Sequence, residues 1–235
     1  MATRIELAVF DIYGTTLQDM GQVPAAFETA LKAGGLAFSA AQLISVRGAS
    51  KREAIAALVE KRFGKSNPGN AARTEAAYAA FQSDLLARFQ KERVAFIPGT
   101  LETFRWLRQK GVALALNTGF DRIIANTIID RLPWNDFSVE TVVCGDDVLQ
   151  GRPAPLMILR AMAKTGVRNP AQVMTVGDTV KDLEAGNNAG VGVNIGVLSG
   201  AHNRERLQQV AHTKLLPSIA DLPAWWQKHL NQGVT

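Results

Sequence analysis

Four short segments of this 235-residue chain hold the side chains best suited to chemistry. Asp11 stands just ahead of Tyr13, Gly14, Thr15 and Thr16. Asn117, Thr118 and Gly119 follow one another, Arg152 sits between Gly151 and Pro153, and Asp178 and Asp182 follow Gly177. A carboxylate is ionised near neutral pH, so it can attack an electrophile without first losing a proton, or it can hold a hard cation. A guanidinium presents a planar fork that matches a phosphate, while hydroxyls donate to further anionic oxygens. These residue types describe the handling of a small anion.

They act together only if the fold gathers them. Apolar runs at 5–10, 112–116, 139–144, 173–176 and 191–197 are rich in Val, Ile and Leu and lack strict alternation, which predicts strands buried on both faces of a parallel sheet. Helix-period segments at 98–110, 121–131, 153–165 and 180–189 alternate with them, with Pro98 and Gly111, and Pro153 and Gly166, as start and stop signals. The predicted fold class is α/β, a doubly wound parallel sheet, whose ligands bind beyond the carboxyl ends of the strands. All four segments fall at such ends. From 18 to 93 only helix-like segments occur, at 24–33, 39–46, 51–63 and 71–92, too much chain for a single crossover. This predicts a helical cap domain at 18–93 inserted into a core of 1–17 and 94–235, with 18–23 and 93–98 as linkers.

Composition narrows the function. Lys and Arg number 26 against 21 Asp and Glu, a net charge of +5, and 47% of residues are hydrophobic, so the chain is a packed globule. The basic residues are scattered, which argues against a nucleic-acid partner. Cys144 is the single cysteine, excluding intrachain disulfides and multi-cysteine zinc sites. His202, His212 and His229 all lie near the carboxyl end, leaving little material for histidine-centred metal clusters or triads. No apolar run approaches the roughly 20 residues of a membrane helix, and Glu6 interrupts any signal-peptide core, so no membrane is expected and the expected location is cytoplasmic. A homodimer stays open. No phosphate-binding GxxxxGK[ST] loop and no GxSxG elbow occurs. Trp106, Trp134, Trp225 and Trp226 are expected to pack helices and loops, Cys144 to be an inert buried thiol, and Asp146 and Asp147 to cap the loop leading to Arg152.

In order and type the four segments resemble the motifs of the haloacid dehalogenase-like superfamily, and the resemblance covers nearly the whole chain. It implies a Rossmann-like core and, for most members, phosphoryl hydrolysis through an aspartyl-phosphate. On that resemblance Asp11 is the nucleophile, and Thr118 with the amides after Asp11 holds phosphoryl oxygens. Arg152, where lysine is commoner, neutralises their charge. Thr15, Thr16, Asn117 and Gly119 are further substrate contacts. The implied cofactor is Mg²⁺, bound by Asp11, the Tyr13 backbone carbonyl and Asp178, with Asp182 acting through water or by orienting the site. A hard cation also relieves the repulsion between Asp11 and Asp178. The implied partner is a small-molecule phosphate or phosphonate.

The position two after the nucleophile separates the branches. Phosphomonoesterases of the superfamily carry an aspartate there as acid and base; this chain has Tyr13. Phosphonoacetaldehyde hydrolases, the phosphonatases, also lack it and cleave a carbon–phosphorus bond with no alkoxide to protonate. Thr15 and Thr16, the Gly21, Pro24 and Phe27 entry to the insertion, Arg152 with Pro153, Pro155 and Met157, and Asp178 with Thr179 and Val180 all resemble that branch. Lys51 falls where it places its Schiff-base lysine, and an amine of depressed pKa could condense there with an aldehyde. Arg47 and Lys51, two cations in one turn, equally fit a phosphatase pattern in which the cation only touches substrate. The alternative is therefore a phosphomonoester phosphatase of phosphoglycolate or sugar-phosphate type. Tyr13 also resembles 2-haloacid dehalogenases, which use no metal and would not need Asp178 and Asp182; a scaffold that has lost its chemistry is the remaining option. The Tyr13 phenol would either crowd the pocket or deliver a proton as general acid.

Overall fold

The computed structural model describes residues 4–33, 39, 47–134 and 138–230; the predicted helix at 39–46 lies outside these apart from Ser39. Six strands, β1 (Leu7–Asp11), β2 (Ala113–Asn117), β3 (Thr141–Val143), β4 (Val173–Gly177), β5 (Val193–Val197) and β6 (Lys214–Leu216), form one sheet in the order β3-β2-β1-β4-β5-β6. Every pairing is parallel. In β1 the residues alternate between two cores. Ala8 and Phe10 pack toward α4 (Thr100–Gln109) and α5 (Arg122–Ile129), while Leu7 and Val9 pack toward α6 (Leu156–Thr165) and α7 (Val180–Ala189). Burial on both faces explains why the strand reads as an unbroken apolar run. Phe10 and Phe104, both fully buried with ring centroids 5.0 Å apart, anchor one face, and each such side chain contributes about 1.5–3 kcal/mol through burial.

The helix starts differ from those read off proline. Gly99, with φ of 86°, forms the turn before Thr100, and α6 begins at Leu156 after Pro155 rather than at Pro153. The short α8 (Arg204–Leu207), edge strand β6 and α9 (Leu222–His229) were not expected. In α9, Trp226 meets Trp106 edge-on at 5.6 Å, and Trp134 meets Phe96 at 5.1 Å. Asp146 accepts the Arg122 amide that opens α5, and Asp147 pairs with the Arg122 guanidinium. Cys144, just beyond β3, is buried and its thiol pKa is pushed up to about 12 by desolvation. Among the described residues no helix is long and apolar enough to cross a membrane.

Between β1 and α4 the described elements are all helices: α1 (Gln22–Ala33), α2 (Lys51–Phe63) and α3 (Asn70–Lys91), with α3 packed on the other two. Phe27 and Phe81 pack inside this group with ring centroids 4.6 Å apart and planes tilted by 46°. Its interior runs into the sheet core through three rings, Tyr13, Phe89 and Phe120, whose centroids stand 6.0–6.2 Å apart. The two segments joining the helices to the sheet run together: the Gln18 amide donates to Ala95 O and Gln18 Nε2 to Phe96 O, each at 3.0 Å.

Candidate active site

Sheet order places the site. β1 lies between β2 and β4, so Asp11 at its tip pairs in register with Asn117, and Asp178 follows the end of β4 on the other side. The chain leaves β1 toward β2 on one side and returns through β4 on the other, which is the crevice where open α/β sheets bind ligands. A cavity of about 260 Å³ opens there. Asp11, Tyr13, Arg47, Lys51, Thr118, Gly119, Arg152, Asp178 and Asp182 all line it. Thr15, Thr16 and Asn117 stand behind its wall. Thr15 Oγ1 donates to Asp178 Oδ1 at 3.2 Å, Thr16 Oγ1 donates to the Ile12 carbonyl at 2.9 Å, and Asn117 holds Arg152. These three support neighbouring groups and do not face the cavity.

Arg152 is buried and its fork is fully engaged. Nη1 lies 2.8 Å from both Asp11 Oδ1 and Asp182 Oδ1, and Nη2 donates to Asn117 Oδ1 at 2.6 Å and to its carbonyl at 3.1 Å. The expectation of a bidentate guanidinium–phosphate contact is corrected: the fork aligns two carboxylates. Only Nε, a buried donor without a hydrogen-bond partner among the described residues, is left for an added anion. Asp182 is committed in turn, since Oδ2 accepts from the Thr179 amide at 3.0 Å and from its hydroxyl at 2.5 Å, closing the capping box of α7.

The carboxylates are held under electrostatic stress. Burial pushes the Asp11 pKa up to about 6 against the pull of Arg152, with the Asp182 charge adding to the rise. Burial raises Asp178 well above the usual carboxylate range, and the Asp11 and Asp182 charges add to it. Asp178 is 1% exposed, and among the described residues its only side-chain hydrogen bonds come from neutral donors, Thr15 and the Ala201 amide at 2.6 Å. No cationic side chain among them pairs with it. Gly14, at φ of 98°, and Gly200 lie so close that a β-carbon on either would collide with this carboxylate. Two buried, mutually repelling carboxylates with one lacking a cationic partner fit a hard divalent ion. Among the described residues no three His, Cys, Asp or Glu side chains form a complete metal cluster, so such an ion would keep several waters, as Mg²⁺ does.

Lys51 and Tyr13 differ most from what their positions alone suggest. Lys51, the first residue of α2, reaches the sheet edge because its amide donates to Gly119 O at 3.1 Å. The turn before it nests against strand ends: a β-carbon at Gly48 would strike Thr179 Oγ1, and one at Gly119 would strike Ala49 O. Lys51 is 9% exposed, and its ammonium lies 3.3 Å from Ala49 O and 5.2 Å from the Phe120 ring centroid. Desolvation lowers its pKa to about 8, although Asp11 works in the opposite direction. The Tyr13 hydroxyl is turned away from this chemistry. It donates to Gln22 Oε1, accepts from the Met20 amide at 3.2 Å, and is raised above its ordinary pKa by burial. Gln22 Nε2 continues to Arg93 O at 3.3 Å, so Tyr13 ties together both segments that enter the helical insertion.

Sequence reasoning missed the wall opposite the strand tips, made by Val23, Pro24 and Phe27 of α1 with Phe120. Phe120 follows Gly119 directly and carried the signal of a strand-end aromatic; Pro24 and Phe27 were legible only as the entry to the insertion, and Val23 carried no signal.

Comparison with known proteins adds the family. The sequence profile of the haloacid dehalogenase-like hydrolases matches residues 5–190. The chain belongs to that family. This haloacid dehalogenase-like hydrolase is 30% identical over 205 residues to phosphonoacetaldehyde hydrolase of Bordetella avium, covering 81% of this chain and 71% of that protein. It is 29% identical over 178 residues to the enzyme of the same name from Parabacteroides distasonis, covering 66% and 67% of the two chains. Among solved structures, a phosphonoacetaldehyde hydrolase-like protein from Oleispira antarctica superposes with a TM-score of 0.83 at 23% identity, over 100% of this chain and 96% of that one. A hydrolase from Pseudomonas syringae reaches the same score at 19% identity, over 95% and 99%. At these identities the two structures share the fold.

Proposed function

We propose that this hydrolase cleaves the carbon–phosphorus bond of phosphonoacetaldehyde or a close phosphonate aldehyde, with Lys51 as the imine-forming amine and Asp11 as the phosphoryl acceptor. The observation that carries the reading is a buried primary amine of depressed pKa in the same cavity as the strand-tip carboxylate. The names of its relatives support it. So does the commitment of the Tyr13 hydroxyl to Gln22, which leaves no aspartate or free phenol at that position to protonate an ester oxygen.

The neutral Lys51 Nζ adds to the aldehyde carbon and water leaves, giving an iminium. Asp11 then attacks phosphorus, and the electron pair of the breaking carbon–phosphorus bond moves into the iminium to give an enamine. Protonation at carbon and addition of water release acetaldehyde and restore the amine. A second water cleaves the aspartyl-phosphate, so one water is consumed per turnover. The iminium supplies the electron sink that an alkyl leaving group needs. Arg152 keeps Asp11 aimed, its Nε donates to a phosphoryl oxygen, and Thr118 and nearby amides take the others. Mg²⁺ would be held by Asp11, Asp178 and the Tyr13 carbonyl, where it would supply the positive charge that lets two carboxylates and a phosphoryl group share one cavity. Residues 18–93 act as the cap over a core of 1–17 and 94–235, and closure excludes bulk water.

Incubation with phosphonoacetaldehyde and borohydride, followed by peptide mass spectrometry, should label Lys51 and no other lysine. Phosphate release from phosphoglycolate or sugar phosphates without any label would place the enzyme among the phosphatases. Mg²⁺ should raise the Tm of the wild-type protein and not that of Asp178→Asn, because only a folded site with that carboxylate binds the ion. An equal rise in both would remove Asp178 from the metal site. Tyr13→Phe should keep kcat within about fivefold of wild type, whereas a general acid would cost about 10²-fold or more.

A further inference from the structure

Ser50 and Glu53 have the spacing of a capping box, in which a serine at the start of a helix and a glutamate three residues on satisfy each other's backbone amides. At α7 the same spacing, Thr179 and Asp182, makes that box in full. At α2 it does not: the Ser50 side chain makes no cap hydrogen bond, and Glu53 Oε1 instead accepts the Gly151 amide at 2.8 Å, 98 positions along the chain. Gly151 immediately precedes Arg152. The approach is close at this point, since a β-carbon on Gly151 would come within 2.9 Å of Ser50 Cβ. A local rule is broken where two distant pieces of the site meet, and such breaks concentrate at functional positions.

We infer that Glu53 is a positioning residue that clasps the turn carrying Lys51 to the loop carrying Arg152, setting the amine and the guanidinium in one cavity. Its effect on turnover rests on the function proposed above; the clasp itself does not. Glu53 is exposed and belongs to no core, so its replacement leaves the fold intact. The plain alternative is a solvated acid that favours the amino end of α2 by its charge. Two variants separate these roles. Glu53→Ala removes the acceptor and the charge, whereas Glu53→Gln removes the charge but keeps an amide oxygen that can accept from Gly151.

The test is competitive acetylation with acetic anhydride, read by mass spectrometry as the labelling of Lys51 relative to exposed Lys65 in the same molecule. Glu53→Ala should raise that ratio about tenfold, the lower end of what loss of one charge-assisted hydrogen bond produces, and Glu53→Gln should stay within about twofold of wild type. Equal ratios in all three proteins, or equal increases in both variants, would overturn the clasp. The readout needs no substrate. A wild-type enzyme that leaves phosphonoacetaldehyde intact while the labelling pattern holds would therefore support the clasp and sink only the carbon–phosphorus reading.

Discussion

Asp11→Asn should lower kcat about 10⁴-fold or more and at the same time raise the Tm in metal-free buffer. The first effect follows from removing the oxygen proposed to attack phosphorus, since loss of a nucleophile commonly costs that much or more. The second follows from the environment of the carboxylate. Burial lifts its folded pKa from 3.8 to about 6, against the pull of Arg152. The folded state thus prefers the proton; that stabilising preference is complete below pH 3.8 and is lost as pH rises through about 6. Near neutral pH the ionised Asp11 costs stability, and the neutral amide removes that cost while Arg152 keeps Asp182 and Asn117. A gain of about 2–4 °C would correspond to about 1 kcal/mol in a chain of this size. Steady-state kinetics with thermal melts check both effects, and an active variant would refute the nucleophile.

Lys51→Arg should lower the proposed phosphonate cleavage by about 10⁴-fold and abolish borohydride labelling. Arginine keeps the positive charge but cannot condense with an aldehyde near neutral pH, so a residue needed only as a cation would survive the change with a modest loss. The wild-type pH profile offers a second check. The amine must be neutral to add to the carbonyl, and burial lowers its pKa to about 8 in the presence of Asp11, Arg152, Asp182 and Asp178. The kcat/KM of the wild-type enzyme should therefore climb about tenfold per pH unit on the acid side and level off near pH 8. A profile flat from pH 6 to 9, or an arginine variant that still forms acetaldehyde, would eliminate the imine.

Much of the fold was legible because its strands are buried on both faces. The runs at 5–10, 112–116, 173–176 and 191–197 correspond to β1, β2, β4 and β5, and the helices predicted at 51–63 and 180–189 match α2 and α7 residue for residue. What escaped was marginal in pattern. β6 is a three-residue edge strand beginning at the exposed Lys214, and a run that short carries no periodicity. α9 opens with Leu222 and Pro223, whose sequence reads equally as a turn. β3 pairs with β2 over only three residues, so its boundary was drawn too long.

By itself the sequence determined which residues could do chemistry and that Asp11, Thr118, Arg152 and Asp178 follow separate strands, because a parallel sheet puts every strand end on one edge. Only the tertiary structure decided what each group is free to do. The engagement of Arg152 with two carboxylates, the turning of Tyr13 toward Gln22, the burial of Lys51 and the diversion of Glu53 to Gly151 all depend on partners 9 to 141 positions away. Hydrogen bonding and desolvation act through space over a few ångströms, and spacing along the chain does not encode which distant groups will stand within that reach.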